Sequence, residues 1–123
     1  LYAELMASEN PSVALEYVNK VHARAYGDDH SYDYTSLSDR TKAYFDTDPL
    51  ANDVIRYERW AELFAEGQWW MDIRRHRCGN AEANYYAETR HGKITWKEPY
   101  SYWQPIPQLE IERNEHIRQS EGY

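Results

Sequence analysis

The chain has 123 residues and a formal net charge of −7, with 5 Trp, 12 Tyr and a single cysteine, Cys78. This length fits one ordinary domain or a piece of a larger one. The negative charge argues against non-specific binding to nucleic-acid phosphates and against a polybasic membrane patch. One cysteine excludes a disulfide within the chain and a cysteine-based zinc site. No apolar run approaches the ~20 residues that are needed to cross a bilayer.

Residues 1–27 predict two helices joined by a short turn. Asn10 can cap the free backbone N–H groups of the second helix, Pro11 fits its first position, and Gly27 is a typical stop. The pair resembles one tetratricopeptide-type hairpin, which cannot bury both of its faces alone. Because the chain opens at Leu1 inside a helical pattern, we expect a fragment whose partner elements lie upstream.

Residues 28–53 predict a variable surface loop, since they are rich in Asp, Ser and other turn formers. A short helix over residues 40–45 is the one regular element expected in it. Long loops in compact proteins are often functional. Tyr32 and Tyr34 lie in this loop and are therefore candidate ligand-binding residues.

Residues 54–78 have the strongest helical pattern and predict a helix rich in Arg and Glu, with Gly67 as a possible interruption. Residues 79–123 predict an irregular segment and a docked C-terminal tail. Turns are expected at residues 79–80 and 91–92, and an extended stretch at residues 93–96. Pro105 and Pro107 predict an extended entry to a short helix over residues 108–114.

Glu58, Glu62 and Glu66 recur every four residues and so predict three carboxylates on one helical face. Such a row suits general acid–base catalysis or a di-metal site. The alternative is a structural network with nearby arginines, since like charges at this spacing repel and Arg59 with Glu62 forms an i,i+3 pair. The structural network is the better-supported interpretation, because several arginines lie close to the glutamates in the sequence. A di-metal site would also need a histidine, and none suited to a metal site lies on this helix. No catalytic sequence motif is present.

Several aromatic groups can either fill a core or stack on sugar rings. They are Trp69-Trp70, Tyr85-Tyr86, Trp96 and the group at 100–103. Trp96 is retained as a third candidate ligand-binding residue.

The stretch "ERWAELFAEGQWWMDIRRH", residues 58–76, resembles a motif of the SusD/RagB-type nutrient-binding lipoproteins of Bacteroidetes, written E-R-x-x-E-L-x-x-E-G-x-x-W-x-D-x-x-R. The tail "PIPQLEIERNEHIRQSEGY" resembles the C-terminal signature of the same family, and "ALEYVNKVHARAYG" resembles its last tetratricopeptide-like helix. Three motifs in the family's order make the resemblance specific.

The resemblance implies a mostly α fold: a tetratricopeptide-like hairpin with packed helices and irregular loops, forming the C-terminal part of a larger α superhelix. It implies a cell-surface protein that captures a glycan or another nutrient for a TonB-dependent, SusC-like transporter. The tether would be a lipid at an N-terminus outside this segment, in the outer membrane. The implied structural network is Glu58, Arg59, Glu62, Glu66, Asp72 and Arg75, with no catalytic residue, metal or cofactor. Two alternatives stay open, a helical glycoside hydrolase with paired carboxylates and a tetratricopeptide-like protein-binding adaptor.

Overall fold

The computed structural model describes residues 1–43, 47–89 and 95–123. Within these ranges there is no β-strand, and the predicted mostly α class is confirmed. Two compact units make up the chain, Leu1–Trp69 and Trp70–Tyr123. The described helices are α1 (Tyr2–Glu9), α2 (Pro11–Tyr26), α3 (Val54–Glu62), α4 (Gln68–His76), α5 (Gly79–Thr89) and α6 (Gln108–Arg113), with 3-10 turns at His30–Tyr32 and Tyr100–Tyr102.

Helices α1 and α2 form the predicted hairpin. The Asn10 side chain accepts a hydrogen bond from the N–H of Val13 at 3.3 Å, and Pro11 is the first residue of α2. Gly27 ends α2 in a left-handed conformation with φ 62°, which a residue with a side chain rarely adopts. The local signals for this hairpin are therefore confirmed. Its buried cluster contains Ala3, Ala14, Val18, Tyr34 and Val54.

The predicted helix over residues 54–78 is two helices. Helix α3 stops at Glu62 and α4 begins at Gln68, and between them Ala65 and Gly67 have φ values of 64° and 75°. A left-handed residue cannot continue a right-handed helix. The expectation of three carboxylates on one helical face is consequently wrong, because Glu66 lies in this break.

Most of the loop over residues 28–53 is irregular, as predicted. A buried threonine, Thr41, connects two parts of this loop through hydrogen bonds. The hydroxyl of Thr41 donates to the carbonyl oxygen of Leu50 at 2.8 Å, and its N–H donates to that of Ala51 at 2.9 Å. Residues 40–43 are not helical. The remainder of the helix expected at residues 40–45 lies outside the described residues.

In the second unit, the segment after residue 79 differs from its prediction. Residues 79–80 were expected to form a turn, but they open the 11-residue helix α5. The glycine that suggested a turn is needed for packing, because a Cβ atom on Gly79 would overlap the indole ring of Trp96. The expected turn at residues 91–92 and part of the extended stretch at residues 93–96 lie outside the described residues.

The C-terminal tail folds onto residues of its own unit. Helix α6 agrees with the predicted short helix to within one residue. The Gln119 side chain accepts from the N–H of Ile106 and donates to its carbonyl oxygen, both at 3.0 Å. Lys97 donates to the carbonyl oxygen of Gly122 at 3.2 Å. These hydrogen bonds tie both the start and the end of the tail to residues of its own unit.

Candidate functional site

Glu58 is the centre of a buried polar cluster in the first unit. Its carboxylate lies on α3 with 8% of the residue exposed. One oxygen, Oε1, is 2.7 Å from Nδ1 of His22 and accepts a hydrogen bond from the Tyr34 hydroxyl at 2.8 Å. Residues from α2, α3 and the loop therefore meet at a single oxygen atom.

The sequence positions each member of this cluster through local structure. His22 follows Val18 by four residues on α2, so it lies on the buried face of that helix. Asn19 holds the loop at Tyr34 beside α2, because its amide donates to the carbonyl oxygen of Tyr34 and accepts from the Tyr34 N–H, both at 2.9 Å. Asp53 caps the start of α3 through the N–H of Arg56 at 3.0 Å.

Electrostatics keep the phenols of this region neutral. Burial, and then the hydrogen bond to Glu58, raises the pKa of Tyr34 well above its usual range. Burial, and then the charge of Glu58, also raises the pKa of Tyr57. Since an ionised carboxylate can only accept hydrogen bonds, the contact with His22 requires a proton on Nδ1. The other ring nitrogen, Nε2, is buried without a hydrogen-bond partner among the described residues.

Sequence reasoning missed His22, because it considered histidines only as metal ligands on the helix over residues 54–78. The available signal was periodicity. Ala14, Val18 and His22 are four residues apart, and both earlier members of this series are buried. A histidine that continues an apolar helical face needs a buried polar partner, and Glu58 is that partner.

The residues of the predicted structural network differ in their described contacts. Glu62 contacts Arg24 of α2, and the two side chains are 34% and 70% exposed. Asp72 and Arg75, predicted as members, pair at 2.7 Å in the second unit. Glu66 is exposed in the break between α3 and α4. The described contacts give Glu58 a histidine and a tyrosine as partners.

A groove of about 400 Å³ lies beside this cluster in the first unit. Its lining combines apolar and aromatic side chains with charged ones. Among the lining residues are Tyr17, Val21, Arg24, Glu58, Arg59 and Glu62. Arg59 thus lines the same groove as Glu58 and Glu62, two of the carboxylates with which it was grouped.

The three candidate ligand-binding residues have different surroundings. Tyr32 is exposed, and its ring stacks on Tyr26 with centroids 4.3 Å apart. Tyr34 is only 7% exposed and its hydroxyl is occupied by Glu58, so it offers little surface to a ligand. Trp96 is half-buried against Tyr102, with centroids 4.9 Å apart, and its N–H donates to Glu98 at 2.8 Å. Of the three, Tyr32 is the most accessible.

Within residues 1–43, 47–89 and 95–123, no helix is both long enough and apolar enough to cross a membrane. In the same ranges, no three His, Cys, Asp or Glu side chains are grouped so that they could hold a metal ion.

The chain as a whole can be compared with known protein families. The model of the SusD family matches residues 1–123, the whole of the chain. The chain belongs to the SusD family. The resemblance that was drawn from its three motifs is thereby confirmed. Comparisons of this SusD-family chain with curated proteins and with solved structures give no match.

Proposed function

We propose that this SusD-family protein binds a glycan or another nutrient at the cell surface and delivers it to a transporter without chemical change. The match of the family model to the whole chain carries the proposal. The transporter would be a TonB-dependent, SusC-like protein of the outer membrane. The protein itself would be held there by a lipid outside this segment.

The state of the carboxylates supports binding rather than catalysis. A glycosidase needs two carboxyl groups facing each other across an open cleft, one of them able to give up a proton. Glu58 is buried and hydrogen-bonded by His22 and Tyr34, and Glu62 contacts Arg24. Both groups have positions that favour holding helices together. This is the role we propose for Glu58 and Glu62, with Arg59 lining the same groove. For Asp72 and Arg75, which pair within α4, we propose that they stabilise that helix.

Accessible aromatic rings support glycan recognition. Sugars present flat apolar faces that pack on aromatic rings, while their hydroxyls need polar neighbours. Tyr32 offers an exposed ring whose other neighbours are Tyr26 and the ammonium group of Lys42, 5.6 Å from the ring centroid. We propose Tyr32 as a contact for the ligand, with Trp96 as a less accessible one.

Calorimetric titration with a panel of neutral and acidic oligosaccharides tests the proposal, with chromatography of the same mixtures after prolonged incubation. We expect at least one oligosaccharide to bind and to be recovered intact. Recovery of shortened products that disappears in a Glu62→Gln variant would instead support the hydrolase. A chain that binds no oligosaccharide but co-purifies with a protein other than a transporter would support the adaptor.

A further inference from the structure

The second unit contains a cavity whose charge is opposite to that of the protein as a whole. It has a volume of about 320 Å³ and is lined by Met71, Arg74, Arg75, Arg77, Tyr102 and Trp103. Three guanidinium groups and no carboxylate line it among the residues that the structure describes, in a chain whose formal net charge is −7. The volume lies at the lower end of the range for small-ligand sites, roughly 300–1,000 Å³.

The arginines of this cavity differ in their partners. Arg75 pairs with Asp72, which offsets its charge. Arg77 lies over two aromatic rings, 4.8 Å from the centroid of Tyr102 and 5.7 Å from that of Trp103. Among the described residues, neither Arg74 nor Arg77 has a carboxylate within salt-bridge distance. The lining thus keeps positive charge available for an incoming anion.

The backbone at Arg77 supports a specific use of its side chain. Arg77 follows the last residue of α4 with φ 52°, in the left-handed region that favours glycine. An arginine in this conformation is strained relative to the usual right-handed backbone conformation. The side chain of this strained residue is the one that lies over both aromatic rings of the cavity.

The aromatic wall offers a surface for a ring. Trp103 is 46% exposed, so one side of its indole remains accessible. The hydroxyl of Tyr102 is occupied, since it donates to Glu98 at 2.9 Å and accepts from the N–H of Gly79 at 3.2 Å. Tyr102 therefore contributes the face of its ring, and the polar contacts of a ligand fall to the arginines.

We propose that this cavity binds an acidic sugar, with the anionic group on Arg74 and Arg77 and the sugar ring against Trp103. Guanidinium groups bind carboxylates and sulfates through paired, charge-assisted hydrogen bonds. An exposed indole beside them adds a preference for a ring over a simple anion. The inference rests on the proposed nutrient-binding function and narrows it to uronic-acid or sulfated glycans.

Calorimetric titration of the full chain with trigalacturonate, its methyl ester and a sulfated galactose trisaccharide tests the inference. Both acidic trisaccharides should bind, and the methyl ester should bind at least about tenfold more weakly because it lacks the charge. Binding of one acidic sugar alone identifies the anionic group as carboxylate or sulfate. Raising the salt concentration should weaken binding of the acidic sugars, since exposed charges are screened.

Substitutions locate the site. Arg74→Gln has no described contact to break, so it should weaken trigalacturonate binding by at least about tenfold while the melting temperature stays constant. Arg113→Gln on α6 removes the same charge from an exposed position outside the cavity and serves as the control. An equal loss in both variants would overturn the assignment, because it would indicate long-range charge alone.

The outcomes also separate this inference from the broader proposal. If neutral oligosaccharides bind and acidic ones do not, nutrient binding stands and the acidic-sugar site is wrong. If a hexaglutamate peptide binds as tightly as trigalacturonate, the cavity recognises charge in a peptide and the sugar assignment is wrong. If no glycan binds at all, the proposed function itself fails.

Discussion

The unit Leu1–Trp69 joins α2, α3 and the loop at the buried carboxylate of Glu58, whereas the unit Trp70–Tyr123 packs the rings of Trp96 and Tyr102 against Gly79. The first arrangement depends on polar partners that are present. The second depends on a side chain that is absent, since any Cβ atom on the glycine would overlap Trp96. We therefore expect the first unit to be sensitive to the removal of atoms and the second to their addition.

Removing the carboxylate should have the largest effect. Glu58→Ala leaves the buried groups of His22 and Tyr34 without their common acceptor. The free energy of unfolding should fall by about 2–6 kcal/mol, which is about 1–3 kcal/mol for each unsatisfied donor. Urea unfolding followed by circular dichroism measures the change. Glu62→Ala is the matched control: its exposed pair with Arg24 should contribute no more than about 1 kcal/mol. Equal losses in the two variants would show that the burial of Glu58 does not determine its contribution to the free energy of unfolding.

Removing one donor from the same cluster tests how much each hydrogen bond to Glu58 contributes to the free energy of unfolding. Tyr34→Phe keeps the ring but leaves Glu58 with one fewer hydrogen bond, which should cost about 1.5–3 kcal/mol at neutral pH. Tyr32→Phe, on an exposed ring, should change the free energy of unfolding by less than about 0.5 kcal/mol. A cost for Tyr34→Phe as small as that of the control would mean that His22 alone satisfies the carboxylate.

The same tyrosine predicts an alkaline dependence. Its pKa is raised in the folded protein, so the unfolded chain ionises first and stability should fall as the pH rises above the ordinary value of 10.0. Unfolding midpoints measured from neutral pH to above the ordinary tyrosine value should fall less steeply with pH in Tyr34→Phe than in the wild type. The fall should not vanish, because the pKa of Tyr57 is raised as well. Identical profiles for the two proteins would contradict this assignment.

Adding one methyl group tests the second unit. Gly79→Ala forces Trp96 or α5 to move, and overpacking of this kind costs about 1–3 kcal/mol. Asn80→Ala, one residue along α5 and exposed, is the control. In a Trp96→Ala background the cost of Gly79→Ala should largely disappear, since the two residues are then no longer in contact. A cost that persists there would place the constraint elsewhere.

The smallest effect is expected in the loop of the first unit. Asp39 accepts hydrogen bonds from the N–H and hydroxyl of Thr35 and from the N–H of Arg40, and the backbone contact with Thr35 contributes most to lowering its pKa. Its contribution to stability should be complete above the ordinary value of 3.8 and should be lost as the pH falls through the lower folded value.

Acid titration of unfolding midpoints for the wild type and Asp39→Asn measures this contribution. The difference between the two proteins should narrow as the pH drops below the ordinary value. A Glu115→Gln variant, which changes an exposed carboxylate in the tail, is the control. A difference that stays constant with pH would show that the charge of Asp39 does not support the loop.

Local signals account for the parts of the fold that the sequence predicted. The cap formed by Asn10 and Pro11, the stop at Gly27 and the short helix after Pro107 each depend on residues within one turn of the chain. The same kind of signal gave a wrong prediction at Gly79. This glycine suggested a turn, but it is the first residue of α5, and the indole of Trp96 leaves no room for a Cβ atom there. A glycine can be required by a backbone conformation with positive φ or by a neighbouring side chain that leaves no room for a Cβ atom. A single sequence does not distinguish the two cases.

The sequence by itself determined the helical class, the hairpin and the family, because capping, periodicity and motif order are properties of neighbouring residues. Only the tertiary structure decided that Glu58 meets His22 and Tyr34, which are 36 and 24 residues away from it, and that Arg74 and Arg77 line one cavity with Trp103. The physical reason is that a side chain's partner depends on how distant segments pack. A helical pattern specifies which face is buried but not which residue will cover it.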